Sequence, residues 1–211
     1  MSPIEPFTTL SGRVAVLPRN DVDTDQIVPK RFLTRISRSG WGECLFYDWR
    51  YDEDGRPVDG FPLNDDAAAG ASVLVAGDNF GCGSSREHAV WSLQEHGFRA
   101  VVAGGFADIF ENNALRLGLA PVRLSADDLR ALTAELSTGD EVVVDLEAQV
   151  VRTASGVEYA FPFDAFYRES LMRGLDEIGT SLAEADAIDA YERANPARVS
   201  TTAVHAVVGG S

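Results

Sequence analysis

A short apolar run, Ser72-Val73-Leu74-Val75-Ala76-Gly77, leads straight into Asp78-Asn79-Phe80-Gly81-Cys82-Gly83-Ser84-Ser85-Arg86-Glu87-His88-Ala89. Four consecutive apolar positions between polar flanks read as a strand buried on both faces. The glycines that follow demand a turn, and Ser85 to His96 reads as a helix with a stop at Gly97. A strand, a glycine-rich turn and a helix start place unpaired N–H groups and partial positive charge beside two hydroxyls and a guanidinium. That combination suits a carboxylate or phosphate. A plainer reading stands beside it: Ser84 and Glu87 have the spacing of a capping box. The box accounts for one serine and one glutamate. It leaves Gly77, Gly81 and Gly83, the second serine and Arg86 without a reason, and glycines there would let a ligand approach the backbone.

The elements around the turn set the fold class. A first strand is predicted at Val14-Ala15-Val16-Leu17, and a loop with one helical turn over residues 21–42. Residues 48–66 read as surface loop, rich in Asp, Gly and Pro. After the helix ending at Gly97, residues 98–103 form a second buried strand, residues 106–117 a helix stopped by Gly118, and residues 119–122 a shorter strand. Alternating strands and helices imply a parallel sheet with right-handed crossovers. Ser125 then caps a helix with Asp127 and Asp128 in its first turn. Residues 141–146, 149–152 and 157–161 make an antiparallel meander with its tight turn at Ala154-Ser155-Gly156. Helices follow at residues 164–173, ended by Gly174, and at 182–191; the tail after Ala197 is expected to be disordered.

Several functions are excluded by bulk properties. A net charge of −15 over 211 residues argues against nucleic acid, and no stretch approaches the ~20 apolar residues of a membrane-spanning helix. The N-terminus lacks the features of a signal peptide, so the chain is expected to be cytoplasmic and reduced. Cys44 and Cys82 make no disulfide framework and cannot alone ligate an iron–sulfur cluster, which usually takes four thiolates. A dinucleotide fingerprint fails at Arg86, a phosphate-cradling P-loop at Ser84, and a hydrolase elbow at Glu87. Asp21-Val22-Asp23-Thr24-Asp25 opens like a calcium loop, but Gln26 and Phe32 stand where Gly and Glu are needed. His88 and His96 are placed in core or surface roles, and Cys82 is read as a small turn residue rather than a reactive thiol.

Gly81-Cys82-Gly83-Ser84-Ser85-Arg86-Glu87-His88-Ala89 and Asp23-Thr24-Asp25-Gln26-Ile27-Val28-Pro29 resemble the signatures of the aconitase-superfamily swivel domain. Phe106-Ala107-Asp108-Ile109-Phe110-Glu111-Asn112-Asn113, Asp186-Ala187-Ile188-Asp189-Ala190-Tyr191-Glu192 and the chain length are similar to small subunits of bacterial 3-isopropylmalate dehydratases. The match runs from Phe7 to Tyr191. It implies an α/β fold of the three-layer swivelling β/β/α type, with a parallel central sheet and an antiparallel second sheet. The expected division is a swivel domain over residues 1–175, a helical extension over 176–195 and a disordered tail over 196–211.

The resemblance also implies a reaction and roles. A large subunit carries a [4Fe–4S] cluster, whose open iron acts as a Lewis acid on the departing hydroxyl of 2-isopropylmalate. This chain closes over it as the small subunit of a heterodimer in leucine biosynthesis. Ser84 is implied as the base that removes a proton beside a carboxylate, acting as an alkoxide. The helix N-terminus and Arg86 would stabilise that charge. Arg86 is expected to pair with a substrate carboxylate, Ser85 to make a second contact, and Arg35 to bind the other end of the dicarboxylate. Phe32, Leu33 and Thr34 would then face the isopropyl group. The alternative for Arg31, Arg35 and Arg38 is a solvated basic face. The loop of residues 30–41 is expected to be mobile without the partner. Competing functions are a related homocitrate or methylmalate dehydratase subunit and a non-catalytic anion-binding module.

Overall fold

The computed structural model describes residues 4–35, 37, 39–84, 86–175, 179 and 185–195. Two compact units divide the chain, Met1–Asp176 and Glu177–Ser211.

The first unit is built on a seven-stranded sheet in the order β4-β3-β2-β1-β5-β6-β7. Its strands are β1 (Thr9–Leu17), β2 (Val73–Ala76), β3 (Ala100–Ala103), β4 (Ala120–Arg123), β5 (Glu141–Asp145), β6 (Val150–Thr153) and β7 (Glu158–Ala160). The expected parallel and antiparallel sheets are both present, and β1 belongs to both. Thr9 to Arg13 pair antiparallel with β5, whereas Val14 to Leu17 pair parallel with β2. The sequence reading placed only residues 14–17 in this strand. Its first half was missed because it is half exposed and polar, and pairing with β5 alone makes it a strand. β2 and β3 are buried at every position, as expected of parallel strands covered on both faces. Pro121 lies in β4, at the edge of the sheet, where its missing N–H breaks no ladder.

The helices are α1 (Thr24–Ile27), α2 (Tyr47–Arg50), α3 (Glu87–His96), α4 (Asp108–Leu117), α5 (Ala126–Glu135) and α6 (Ala165–Arg173). Gly97, Gly118 and Gly174 cap α3, α4 and α6 in left-handed conformation, as their positions predicted. Ser125 accepts from the Asp128 N–H at the start of α5. Ser125 and Asp164, which caps α6, satisfy donors that would otherwise be orphaned.

Two cores lie on the two faces of the parallel strands. On one face Ala15, Leu17, Leu74, Ala76 and Val101 meet α3 and α4 and the aromatic residues of the 41–46 segment, including fully buried Trp41 and Phe46. On the other, Val14, Val73, Val75 and Val102 meet Val142, Val144, Val151 and Tyr159 of the antiparallel strands, with Leu132 and Leu171. The antiparallel part therefore folds back over the parallel part, making helix, sheet and sheet three layers. Each large side chain withdrawn from water in these cores contributes roughly 1.5–3 kcal/mol.

In the second unit, α7 (Ala185–Ala194) is a ten-residue helix, whose C-terminal Tyr191 carbonyl accepts from Asn195 N–H at 2.9 Å. The expected disordered tail lies outside the described residues. No helix among the described residues is long and apolar enough to cross a membrane.

Candidate active site at the carboxyl edge of the parallel strands

β1, β2 and β3 run parallel and end together, so the loops that follow them share one edge. Open α/β sheets bind ligands outside this edge. Here the three loops are laced by backbone bonds. Asp21 N–H donates to the Asp78 carbonyl (2.9 Å), Gly81 N–H to Val22 (2.8 Å), and Phe80 N–H to Gly105 (2.9 Å). Asp78 N–H donates to Asn20 Oδ1 (2.8 Å), and the Asn79 amide donates to Asp21 Oδ1 (2.7 Å). Asp21 and Asn79 both stand in left-handed conformation, at φ 53° and 54°. Such residues persist only where their surroundings hold them, and they cluster at functional loops.

The turn after β2 is shaped by its own protein, which corrects the sequence reading of its glycines. Gly81 has φ +77° and a Cβ there would enter the ring of Phe110; Gly83 has φ +93° and a Cβ there would enter the Asp23 carboxylate. Close packing and backbone sign require these glycines, rather than room for a ligand.

α1 docks along the turn residue by residue. Asp23 bridges Cys82, Thr24 N–H donates to the Cys82 carbonyl (2.8 Å), and the Thr24 hydroxyl donates to the Ser84 carbonyl (2.9 Å). Arg86 Nη1 then pairs with Asp25 Oδ1. Asp25 also receives Lys30 Nζ at 2.9 Å. Asp23 caps α1 through a capping box with Gln26.

The box proposed for Ser84 and Glu87 is not formed. α3 begins at Glu87 with Arg86 at its N-cap and no side-chain cap, and the Ser84 carbonyl accepts instead from the Thr24 hydroxyl. Ser84 is exposed and, among the described residues, its hydroxyl has no partner. Ser85 lies outside the described residues. The Arg86 side chain is only 12% exposed, and no other carboxylate among the described residues reaches it.

Charges of both signs meet at the turn. Burial pushes the Asp25 carboxyl up, but bonds from Lys30 and Arg86 outweigh that and hold it below the usual carboxylate range. Burial, and then the charges of Asp23 and Asp21, raise the Cys82 thiol, which disfavours its thiolate form. Buried Cys44 is also pushed up, chiefly by desolvation.

The residues of the 30–41 segment are placed beside α1. Lys30–Thr34 form a 3₁₀ turn, and Lys30 ties it to Asp25. Phe32 is half-buried, edge-on to Tyr47 at 5.1 Å and flanked by the guanidinium groups of Arg31 and Arg35. Leu33 is half-buried against the core, and exposed Thr34 donates to the Arg31 carbonyl at 3.3 Å. Arg31 is paired with Asp48 rather than merely solvated. Exposed Arg35 donates to the Gly40 carbonyl at 3.1 Å; among the described residues no contact joins it to Ser84 or Arg86. Ile36 and Arg38 lie outside the described residues. The far end of the segment is anchored to α3: Glu95 accepts from the N–H groups of Trp41 (2.5 Å) and Gly42 (3.1 Å). His88 packs its ring against Trp41 and Trp91, and burial lowers its pKa. Burial and the nearby Arg50 charge bring His96 to about 4. Both histidines are packing groups.

Asp25 and Thr24 were missed as site residues by sequence reasoning. The available signal was their spacing: acids at alternate positions, 21, 23 and 25, next to a turn carrying a guanidinium that needs a counter-charge when buried.

Comparison with known proteins follows this geometry. A model of the aconitase C-terminal domain matches residues 4–127, and the LeuD_N model matches residues 130–165. The 3-isopropylmalate dehydratase small subunit of Roseiflexus castenholzii is 48% identical over 202 residues, covering 95% of this chain and 99% of the relative. That of Brevibacillus brevis is 49% identical over 191 residues, covering 90% and 98%. The crystal structure of 3-isopropylmalate dehydratase from Methanocaldococcus jannaschii superposes with a TM-score of 0.62 at 27% identity, covering 87% of this chain and 99% of that one.

Proposed function

This chain belongs to the family of 3-isopropylmalate dehydratase small subunits, and on that premise we propose that it joins a large subunit to interconvert 2-isopropylmalate and 3-isopropylmalate in the cytoplasmic synthesis of leucine. The single observation that carries the site assignment is the placement of Arg86. Asp25 holds the guanidinium almost buried at the start of α3, close along the chain to the exposed hydroxyl of Ser84.

The chemistry assigned to this chain is the handling of a proton and two carboxylates. In the forward elimination a hydrogen next to a carboxylate leaves as a proton and its electron pair forms the carbon–carbon double bond, while the hydroxyl on the adjacent carbon departs and becomes water with a second proton, which a general acid of the large subunit has to supply. Ser84, as an alkoxide, accepts that proton; on re-addition of water it returns a proton to the carbon that lost the hydroxyl. Arg86 spends only Nη1 on Asp25 among the described residues, which leaves the edge formed by Nε and Nη2 for a substrate carboxylate. The substrate's remaining carboxylate is assigned to Arg35 and a second polar contact to Ser85. Phe32, Leu33 and Thr34 are assigned to the isopropyl group. Stabilisation of the alkoxide is assigned to Arg86. It works against Asp23, whose carboxylate lies at Gly83.

The described residues do not suit an iron–sulfur cluster. No group of three or more His, Cys, Asp or Glu side chains converges among them, and both thiols are pushed toward their protonated forms. The cluster is therefore assigned to the large subunit. Full-length similarity to small subunits of this dehydratase favours isopropylmalate over homocitrate or methylmalate as substrate.

The test is reconstitution with the large subunit from the same host, followed by iron analysis and assay on 2-isopropylmalate. The expected result is isomerisation only by the mixture. Turnover by this chain alone, or a mixture that turns over methylmalate or homocitrate at least as fast, would refute the assignment.

A further inference from the structure

We propose that Asp25 is a positioning residue for the reaction, fixing the guanidinium of Arg86 beside Ser84 and linking it through Lys30 to the turn assigned to the isopropyl group. The inference rests on the proposed function and adds to it a residue that touches no substrate.

Three features of the geometry carry it. Arg86 is 12% exposed, and a charge withdrawn from water needs a partner; Asp25 is the carboxylate that reaches it among the described residues. Asp25 is itself held. It follows the capped residue Asp23, which accepts from the Asp25 N–H at 2.6 Å, and Thr24, whose N–H and hydroxyl grip Cys82 and Ser84. Asp23, Thr24 and Asp25 thus contact Cys82, Ser84 and Arg86 in order. Finally, Asp25 receives Lys30, the first residue of the 3₁₀ turn that carries Phe32 and Leu33. One carboxylate therefore sets the spacing between the carboxylate-binding guanidinium and the apolar wall of the site.

The opposite reading makes a different prediction. A carboxylate that merely competes with an anionic substrate for Arg86 would weaken binding, so its removal would lower KM. A carboxylate that orients Arg86 would, on removal, misplace the substrate, and a misplacement of about 1 Å costs roughly 10²-fold.

The experiment uses the reconstituted two-subunit enzyme with Asp25→Asn, Arg86→Lys and the double variant, assayed on 2-isopropylmalate, with assembly followed by size-exclusion chromatography. Asp25→Asn keeps the shape of the side chain and one acceptor oxygen. The expected result is unchanged assembly, a fall of roughly 10- to 100-fold in kcat/KM with kcat reduced as well, and less than a further twofold loss when Asp25→Asn is added to Arg86→Lys. Lys30→Met is expected to alter discrimination between 2-isopropylmalate and 2-ethylmalate more than kcat on the former. A lower KM at unchanged kcat, losses that multiply in the double variant, or failure of Asp25→Asn to assemble would each overturn the proposal. If Arg86→Lys alone kept full activity, the site assignment itself would fall, which separates that failure from a failure of the positioning role.

Discussion

The carboxylate of Asp23 fills the space that a side chain on residue 83 would need, and Gly83 stands at φ +93°, where an L side chain is strained in any case. The two residues are sixty positions apart in the chain, yet each determines what the other is allowed to be. Gly83→Ala must push Asp23 out of the capping box on α1 as well as accept the backbone strain. A loss of about 2–3 kcal/mol is expected from strain and cap together. Gly60 has φ +77° with nothing within 4 Å of its added Cβ. Gly60→Ala should therefore cost only about 1–2 kcal/mol. Urea denaturation of both variants checks the difference; equal losses would mean that Asp23 yields freely.

Ser84 is exposed and its hydroxyl has no partner among the described residues. Ser84→Ala is expected to leave stability within about 0.5 kcal/mol while reducing turnover of the reconstituted enzyme about 10³-fold. Thermal melting and a rate assay on one preparation make the test. Retention of most of the rate would remove Ser84 from the role of base.

Thr24 is 2% exposed and its hydroxyl holds the Ser84 carbonyl at 2.9 Å. Thr24→Val preserves the volume and removes the bond. The Ser84 carbonyl sits on a turn open to water, so the cost in stability is expected to be about 1 kcal/mol. The turn itself loses its tether, and kcat should fall by about tenfold with KM changed less. Thr24→Ser, which keeps the hydroxyl, should recover the rate. Steady-state kinetics on both variants decides whether the bond or the packing matters.

His96 is brought down to about 4 by burial and by the neighbouring Arg50 charge. The unfolded chain protonates this residue near pH 6.5, before the folded chain does. Stability is therefore expected to fall as pH drops from about 6.5 to about 4 and to level off below, by up to about 3 kcal/mol. Asp25 acts in a lower window, because its folded pKa is depressed: its pair is present above the usual carboxylate range and is lost as pH falls through the lowered value. Denaturant titrations across pH should show the first slope in the native chain and its absence in His96→Gln.

Much of the fold was legible because it is encoded within neighbouring residues. The buried runs of β2 and β3, the cap at Ser125, the stops at Gly97, Gly118 and Gly174 and the meander β5 to β7 each rest on interactions spanning a few positions. What escaped depends on distant partners. The first half of β1 is a strand because β5 pairs with it, and the Ser84 carbonyl is held by Thr24, sixty positions away. The pair of Asp25 with Arg86 joins residues 61 positions apart. Sequence reading saw both as motif members and assigned Arg86 to a substrate carboxylate and to the Ser84 alkoxide, not to Asp25.

By itself the chain's order of residues settled the alternation of strands and helices, the sign of the backbone at its stop glycines and the identity of the reactive-looking turn, since propensity, capping and hydrophobic period act locally. Tertiary structure alone decided which charges meet at that turn. Packing α1 against the turn brings the carboxylates of Asp23 and Asp25 to Cys82, Gly83 and Arg86, and Asp25 pairs with Arg86 there. Coulombic partners are chosen by proximity in space, which the fold creates and the linear order does not contain.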